Sequence, residues 1–268
     1  MELNNENYFS SEMSMKYMSK SQLMSFRECE ARTMAEIKGE YVREMSNAFL
    51  IGSYVDIALT GTDKEMEKFL ADNPQMISSR GETKGQLKAE YQHANKMISK
   101  IKNDELMMKT LSGEHQVIMT GDLFGVPFKV KLDSLLEGAI VDLKTTSDMY
   151  ATFYDEKEQR RVSWIEKYGY IEQGAIYQEI ARQNLGKTLP FFLTVVDKTK
   201  EPDIAVLQID NETLAEKLAN LEEEINGYAL IKQGEIEPIA CGKCDYCKAK
   251  KKAKVINWLD VGGTNEVS

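Results

Sequence analysis

Hydrophobic and polar positions along the chain follow two different periods. Before about residue 112, apolar residues recur every three or four positions, which predicts amphipathic helices. From residue 116 to residue 145 the residues alternate between apolar and polar or form short apolar runs, which predicts three strands. Helical and strand patterns then alternate toward residue 232. The predicted helices span 19–29, 48–59, 63–71, 86–102, 164–182 and 211–232, and the predicted strands span 116–120, 128–133, 139–145, 191–196 and 204–209.

The order of these elements predicts the fold class. Helices, a three-stranded meander, a helix, two strands and a last helix predict an α/β fold with a central mixed sheet flanked by helices. The sequence contains no internal repeat and no low-complexity linker, so we expect a single domain over residues 1–268. Its predicted parts are a loose leader (1–18), a helical N-terminal part (19–112), a core (113–210), and a C-terminal helix with a tail rich in Cys and Lys (211–268).

Length and composition narrow the class of protein. A hydrophobic fraction of 42% over 268 residues supports a buried core and argues against wholesale disorder. No apolar run approaches the roughly 20 residues of a membrane span, and the polar, acidic N-terminus does not resemble a secretory signal. We therefore expect a reducing cytoplasm and no membrane. In that compartment cysteines are metal ligands or free thiols more often than disulfides.

The charge balance is a weak guide to partners. The chain has 34 basic and 43 acidic residues, a net charge of −9, which argues against binding to phosphates. Binding depends on one patch of the surface, however, and not on the sum. Beside the C-terminal cysteines the lysines form either a solvated surface or a strip that contacts phosphates. These residues are Lys243, Lys248, Lys250, Lys251, Lys252 and Lys254.

Asp142 and Lys144 carry the first candidate chemistry. They lie two residues apart on a predicted strand, so their side chains share a face. If that strand pairs with the preceding one through a tight turn, Asp133 comes close to Asp142. Facing carboxylates repel unless a cation lies between them, and hard oxygen ligands suit Mg²⁺ or Mn²⁺. The alternative is a strand end at Asp133 and a surface ion pair, which the apolar run at 139–141 disfavours because it predicts a buried strand.

Three cysteines lie within seven residues, in the spacing C-x2-C-x2-C. They are Cys241, Cys244 and Cys247, and the fourth cysteine of the chain, Cys29, lies far upstream. Together they can form a Zn(Cys)₄ site or hold a [4Fe–4S] cluster. The tight spacing is more typical of a [4Fe–4S] cluster, since zinc ribbons pair two separate C-x2-C knuckles. Free cysteines are a third alternative, which the clustering disfavours.

The carboxylate–lysine pattern resembles a known family. Asp133, followed by V-D-L-K-T-T at 141–146, resembles the D…(D/E)-x-K core of PD-(D/E)XK nucleases, and most closely the RecB-like branch. The resemblance implies a restriction-endonuclease-like core. In such a core Asp133 and Asp142 hold Mg²⁺ or Mn²⁺, and Lys144 positions the water that attacks the phosphodiester.

Three further segments bear on this resemblance. Q-G-A-I-Y, from Gln173 to Tyr177, resembles the Q-x3-Y element of that branch, which implies that both side chains contact DNA. G-S-Y-V-D ends at Asp56, where the branch usually carries a metal-binding histidine. Asp56 is thus either a third metal ligand or a polar residue on an amphipathic helix. Lys129 and Lys131 precede Asp133 and are further candidates for contact with DNA.

The cysteines take part in a second resemblance. S-K-S-Q-L from residue 19, followed by Cys29, is similar to the entry segment of iron–sulfur nucleases such as Cas4 and AddB. This similarity implies a [4Fe–4S] cluster that joins the N- and C-terminal segments through the four cysteines. Phage RecE-like (exodeoxyribonuclease VIII-like) proteins carry a similar set of G-S-Y-V-D, D-L-K-T and C-G-x-C-D-Y-C motifs, and this similarity covers nearly the whole chain.

The resemblances imply a function. It is that of a metal-dependent DNA exonuclease that resects duplex ends, with a single-strand annealing protein as its functional partner, in a bacterial or phage-infected cytoplasm. Rings occur among related exonucleases, so a homo-oligomer is compatible, although no pattern in the sequence encodes one. The alternatives are a Cas4-like nuclease that trims single-stranded overhangs and a non-catalytic iron–sulfur protein that binds DNA. The non-catalytic alternative is the weakest, because the sequence keeps all three residues of the catalytic pattern, Asp133, Asp142 and Lys144.

Overall fold

A five-stranded sheet forms the centre of the computed structural model, which describes residues 2–156 and 158–258. The strands are β1 (Glu114–Leu123), β2 (Val126–Leu136), β3 (Ala139–Thr146), β4 (Thr152–Asp155), β5 (Arg160–Ser163), β6 (Phe191–Asp197) and β7 (Ile204–Ile209). The order across the sheet is β1-β2-β3-β6-β7, and β4 pairs with β5 alone. Within the sheet β3 and β6 are parallel and the other neighbours are antiparallel. Residues 1, 157 and 259–268 of the expected domain lie outside the described part.

Helices flank this sheet. They are α1 (Ser11–Lys16), α2 (Lys20–Glu28), α3 (Glu30–Ile37), α4 (Asn47–Thr60), α5 (Asp63–Asp72), α6 (Ala89–Lys102), α7 (Glu105–Thr110), α8 (Trp164–Lys167), α9 (Tyr170–Leu185), α10 (Asn211–Ala219), α11 (Glu222–Gln233) and α12 (Asp245–Ala249), with a short 3₁₀ turn at Pro74–Met76. Each helix in the described ranges is too short or too polar to cross a bilayer. The predicted α/β fold with a mixed central sheet and flanking helices is confirmed.

Two apolar cores lie on opposite faces of the sheet. Ile140 on β3 belongs to the first core and Leu143 to the second, and Leu193 and Val196 on β6 divide in the same way. Helices α2, α9, α10 and α11 contribute to the first core, whereas α4, α6 and α7 contribute to the second. A sheet covered on both sides needs strands that are apolar on both sides. This explains the near-continuous apolar runs in β3 and β6.

Helix α9 lies unusually close to the sheet. A Cβ atom placed on Gly174 would come within 2.5 Å of the Phe191 ring on β6, so no larger residue fits there without displacing the helix. The close approach brings the first two turns of α9 over the centre of β3. The residue before this glycine, Gln173, therefore faces the strand that carries Asp142 and Lys144.

The structure breaks two helices that the sequence predicts as continuous. The predicted helix 164–182 divides into α8 and α9 because Gly169 adopts a left-handed conformation with φ of +66°. The predicted helix 211–232 divides into α10 and α11 at a turn around Asn220. The hairpin of β4 and β5 and the helix α7 were not predicted, since all three are short and their apolar residues show no clear period.

The N-terminal segment, predicted as a loose leader, packs against β2. The backbone N–H of Met18 donates to the Pro127 carbonyl at 2.8 Å, and the N–H of Lys129 donates to the Met18 carbonyl at 2.9 Å. Met13 in α1 and Met18 are both buried. The apolar residues of this segment follow no regular period, so only the surface that they meet determines how they pack.

Candidate active site

Strands β2 and β3 separate at the position of two carboxylates. Leu136 pairs with Ala139, and Ser134 pairs with Val141. The pairing ends there, so Asp133 and Asp142 do not pair with each other. Instead, the Leu143 N–H donates a hydrogen bond of 3.0 Å to Asp133 Oδ2. The carboxylate of Asp133 thus takes the place of a backbone acceptor, and it occupies the opening between the two strands.

The pairing of Asp133 is also interrupted on the side of β1. Gln116, which would lie opposite Asp133, has no ladder pairing and a left-handed backbone with φ of +54°. Leu132 and Leu135, three residues apart, both pack against the first core. The pairing of β2 with both of its neighbours is therefore interrupted at Asp133.

Asp142 is the most enclosed acidic side chain of the site, with 1% of its surface exposed. Gln173 Nε2 donates to Asp142 Oδ1 at 2.6 Å, and Lys144 Nζ forms an ion pair with Asp142 Oδ2. An amide thus donates a hydrogen bond to Oδ1, while Oδ2 forms the ion pair and has no hydrogen-bond partner of suitable geometry among the described residues. The pairing of Asp142 with Lys144 on one face of β3 agrees with their spacing of two residues.

Lys144 stands at the edge of solvent with 19% of its side chain exposed. Its ammonium lies 5.3 Å from the centre of the Tyr170 ring, in a cation–π contact. Burial lowers the pKa of Lys144, but the carboxylates of Asp142 and Asp133 together outweigh burial and raise the pKa above its usual value. In this arrangement the ammonium forms an ion pair with Asp142.

Asp56 on α4 joins this cluster from the side of the second core. Its carboxylate accepts hydrogen bonds from Thr60 Oγ1 at 3.2 Å and from Gln116 Nε2 at 3.3 Å. Burial raises the pKa of Asp56, while the hydrogen bond from Thr60 and the charge of Lys144 lower it in part. The charges of Lys144 and Asp142 both shift the pKa of Asp56, so the three groups lie close enough to interact electrostatically.

The site brings three carboxylates and several ammonium groups together. Burial, followed by the negative charge of Asp142, raises the pKa of Asp133 well above its usual value. Lys144 faces Asp142 and Asp133, Lys131 lies near Asp56 and Asp133, and Lys20 lies near Asp142. A cation next to these carboxylates would lower their proton affinity. Carboxylate oxygens are ligands that Mg²⁺ and Mn²⁺ prefer, so these residue types suit such an ion. Among the described residues, only the four cysteines already lie as close together as the ligands of one ion.

Gln173 and Tyr177 lie on the same face of α9, as their spacing predicts. Gln173 is buried and uses its amide on Asp142, so it contacts the acidic cluster directly. Tyr177 is half-buried, with its ring edge-on to Phe191 at a centroid distance of 6.3 Å. The predicted contact of these two residues with DNA stays a prediction.

Of the two lysines on β2, one is enclosed and the other is not. Lys129 is 3% exposed, and its ammonium binds the Tyr8 carbonyl and the Ser14 hydroxyl. The prediction that Lys129 contacts DNA does not fit this burial, because the N-terminal segment covers the side chain. Lys131 is half-buried and remains near Asp56 and Asp133, whose charges act on it.

Sequence patterns did not identify Gln116, Lys20 or Tyr170 as part of the site. Gln116 binds Asp56 through a backbone conformation that no motif indicates. Lys20 Nζ donates to the Tyr168 carbonyl at 2.8 Å, and burial and the charge of Lys144 lower its pKa to about 8. Tyr170 lies three residues before Gln173, so the helical period of Q-x3-Y could have found it.

The four cysteines come together away from the acidic cluster. Their Sγ atoms all lie within 4.8 Å of one another, with Cys29 and Cys247 at 3.6 Å and Cys241 and Cys247 at 3.9 Å. Hydrogen bonds from the N–H groups of Lys243 and Cys244 lower the pKa of Cys241 to about 6. The predicted grouping of these cysteines into one cluster is confirmed, and the arrangement is compatible with a metal site.

The six lysines around this cluster are exposed. Lys248 lies 3.8 Å from the carboxylate of Asp245, and Lys250 Nζ donates to the Tyr246 hydroxyl at 2.5 Å. These contacts are local to α12 and its flanks. They agree with a solvated surface and leave the lysines accessible to a phosphate backbone.

Comparisons with known proteins gave a family and a similar structure. Residues 19–250 match the model of a family described as a PDDEXK-like domain of unknown function (DUF3799). A crystal structure of a "putative exonuclease" from Eubacterium rectale is 37% identical, with a TM-score of 0.91 over 99% of this chain and 100% of that one. No curated protein matches the chain.

Proposed function

Because the chain belongs to the family of PDDEXK-like domains of unknown function, we propose that it is a metal-dependent DNA exonuclease. The convergence of Asp133, Asp142 and Lys144 at the opening between β2 and β3 carries this proposal. These are the residue types, in the chain order, of the D…(D/E)-x-K pattern. The pattern alone is common in sequences, but here its three members share one half-enclosed site.

Asp133, Asp142 and Asp56 would hold Mg²⁺ or Mn²⁺ in this enzyme. Such an ion, when bound, supplies Lewis-acid activation of the phosphodiester and of the attacking water. Gln173 orients the carboxylate of Asp142 by its hydrogen bond to one oxygen. The buried position of Asp142 keeps its carboxylate from rotating away from the opening.

Lys144 orients the attacking water and donates to the scissile phosphate. The contacts with Asp142 and Tyr170 fix its ammonium next to the opening between the strands. Lys131 and the exposed lysines near the cysteines would contact the DNA backbone, and Tyr177 would contact the strand near the site.

We further propose that the natural substrate is a duplex DNA end. The resemblance to RecE-like proteins supports resection of such ends for recombination, with a single-strand annealing protein as partner, in a bacterial or phage-infected cytoplasm. The name of the Eubacterium rectale structure supports cleavage from an end. On this proposal residues 1–268 form one nuclease domain, and its assembly into a homo-oligomer is a question for sizing in solution.

Labelled DNA of different forms tests the proposal. With Mg²⁺ or Mn²⁺, the enzyme should degrade linear duplex DNA from its ends and leave covalently closed circles of the same sequence intact. Blunt, 5′-overhang and 3′-overhang duplexes then separate resection from the Cas4-like alternative, which would remove only the overhang. Absence of cleavage on all linear single- and double-stranded substrates, with salt-sensitive binding retained, would instead identify a non-catalytic DNA-binding protein.

A further inference from the structure

We propose that the four cysteines bind a single Zn²⁺ ion, which ties the junction of α2 and α3 to the C-terminal segment. The proposal concerns a site separate from the acidic cluster. It rests on the distances between the sulfur atoms and on the backbone around them. It differs from the [4Fe–4S] cluster that the spacing of the cysteines favours.

The sulfur positions match one tetrahedral ion. In a site with Zn–S bonds of about 2.3 Å, neighbouring thiolate sulfurs are about 3.8 Å apart. The separations of 3.6 Å from Cys29 to Cys247 and of 3.9 Å from Cys241 to Cys247 lie on either side of this value. All four sulfur atoms lie within 4.8 Å of one another, so no pair is far from this spacing.

A [4Fe–4S] cluster requires a wider arrangement of the same ligands. Each cysteine then binds a different iron, and the irons stand at separate corners of a cube that also contains four sulfides. The thiolate sulfurs must therefore lie outside the whole cube, not around one atom. Four sulfur atoms that all lie within 4.8 Å of one another leave no room for it.

The backbone around the sulfurs is arranged to bind thiolates. The N–H groups of Lys243 and Cys244 donate to Cys241 Sγ at 3.4 and 3.3 Å, and the Arg32 N–H donates to Cys29 Sγ at 3.5 Å. Gly242, with φ of +68°, makes the turn that directs two N–H groups at one sulfur. Donors aimed at sulfur stabilise its anionic form, which is the form that binds a metal.

Other contacts already join the two segments that the ion would connect. The Ala31 N–H donates to the Ile239 carbonyl at 3.1 Å, and the Ile239 N–H donates to Glu30 Oε2 at 2.8 Å. Cys29 ends α2 and precedes α3. A metal at this junction would hold the C-terminal segment against α2, whose first residue, Lys20, approaches Lys144.

Metal content is measured on the full-length protein, purified without oxygen from iron-supplied cells and without a metal-affinity column. We expect one zinc and no iron per chain, with no absorption in the visible range. Replacement by Co²⁺ should produce the charge-transfer and ligand-field bands of a tetrahedral site with four thiolates. About four irons per chain with a brown colour, or a chain with no bound metal and four freely titratable thiols, would overturn the proposal.

Variants locate the ion. Cys29→Ser should bind zinc more weakly, with a lower melting temperature and a weaker cobalt–thiolate band. Asp245→Asn, at an exposed position beside the cluster, should keep one zinc per chain. If Cys29→Ser fails to fold, the wild-type cobalt spectrum and metal count still decide. Since none of these measurements uses DNA, they stand apart from the outcome of the nuclease assay.

Discussion

Gln173 on α9 holds Asp142 on β3 through a hydrogen bond of 2.6 Å from its Nε2 to Oδ1. Because the other carboxylate oxygen pairs with Lys144, this bond determines how the acidic group is turned toward the opening between β2 and β3. Gly174 makes the contact feasible, since its lack of a side chain lets α9 approach β6 closely. Gln173 is therefore a positioning residue for the proposed metal ligand.

Gln173→Ala should raise the concentration of divalent ion that cleavage requires. Loss of a partner that orients a metal ligand typically costs about 10- to 100-fold in metal affinity or activity. We expect the concentration of Mg²⁺ for half-maximal cleavage to rise within this range, measured by titration with a labelled linear duplex. Gln183→Ala, on the exposed end of the same helix, is the matched control. An unchanged Mg²⁺ requirement in Gln173→Ala would refute the positioning role.

Lys144→Met and Asp142→Asn should both abolish cleavage, but for different reasons. Removing the ammonium should reduce the rate by about 100-fold or more while Mg²⁺ still raises the melting temperature. Removing the carboxylate should eliminate both the cleavage and the effect of Mg²⁺ on stability. Asp122→Asn makes the same chemical change at an exposed residue near the end of β1, whose carboxylate accepts a hydrogen bond from the Gly125 N–H. Full activity in Lys144→Met would exclude the proposed role of this lysine.

Asp133 should destabilise the metal-free protein as the pH rises. Its folded-state pKa lies well above the unfolded value of about 3.9. Between these values the folded state binds more protons than the unfolded state, so stability falls as pH increases. Asp133→Asn removes this loss of stability. The melting temperature of the variant minus that of the wild type should therefore increase from pH 4 toward neutrality.

Divalent ions provide the control for that pH series. Mg²⁺ should stabilise the wild type at neutral pH, since a bound cation favours the ionised carboxylate, and should have a much smaller effect on Asp133→Asn. The measurement is thermal unfolding with and without Mg²⁺ over the same pH range. A difference in melting temperature between variant and wild type that does not change with pH would refute the raised pKa of Asp133.

Lys131 and Lys129 should differ in their contribution to DNA binding. Each phosphate contact contributes nearly one unit to the slope of log affinity against log salt. We expect Lys131→Met to reduce this slope by about one, and Lys129→Met to leave it unchanged because the Lys129 ammonium is enclosed by the N-terminal segment. Binding is measured in the Asp142→Asn background, so that the DNA stays intact. Equal slopes for the two variants would show that Lys131 is not a phosphate contact.

Much of the fold was predictable from residue order. The strand 204–209 was predicted with its observed bounds, and 139–145 and 191–196 each fall one residue short. Long apolar or alternating runs dominate in these segments. Errors occurred where a single backbone conformation decides the outcome, as at Gly169, whose left-handed φ divides a predicted helix. The N-terminal segment has no period, and its packing depends on β2.

Residue order alone placed Asp142 and Lys144 side by side, because side chains two apart on a strand point to the same face. It also brought Gln173 and Tyr177 onto one face of a helix. Tertiary structure decided the rest. The carboxylate of Asp133 lies in the gap between β2 and β3 because the ladder stops there. Lys129 is enclosed because its ammonium donates to the carbonyl of Tyr8, which lies 121 residues away in the sequence.

The cysteines show the same division. Their number and spacing indicate a metal site, since thiolates close in sequence are close in space. The separation of 3.6 Å between Cys29 and Cys247, 218 residues apart, arises only when α2, α3 and the C-terminal segment pack together. The distance between the sulfur atoms, and with it the choice between one ion and a cluster, depends on that packing, because local spacing restricts three of the ligands but not the fourth.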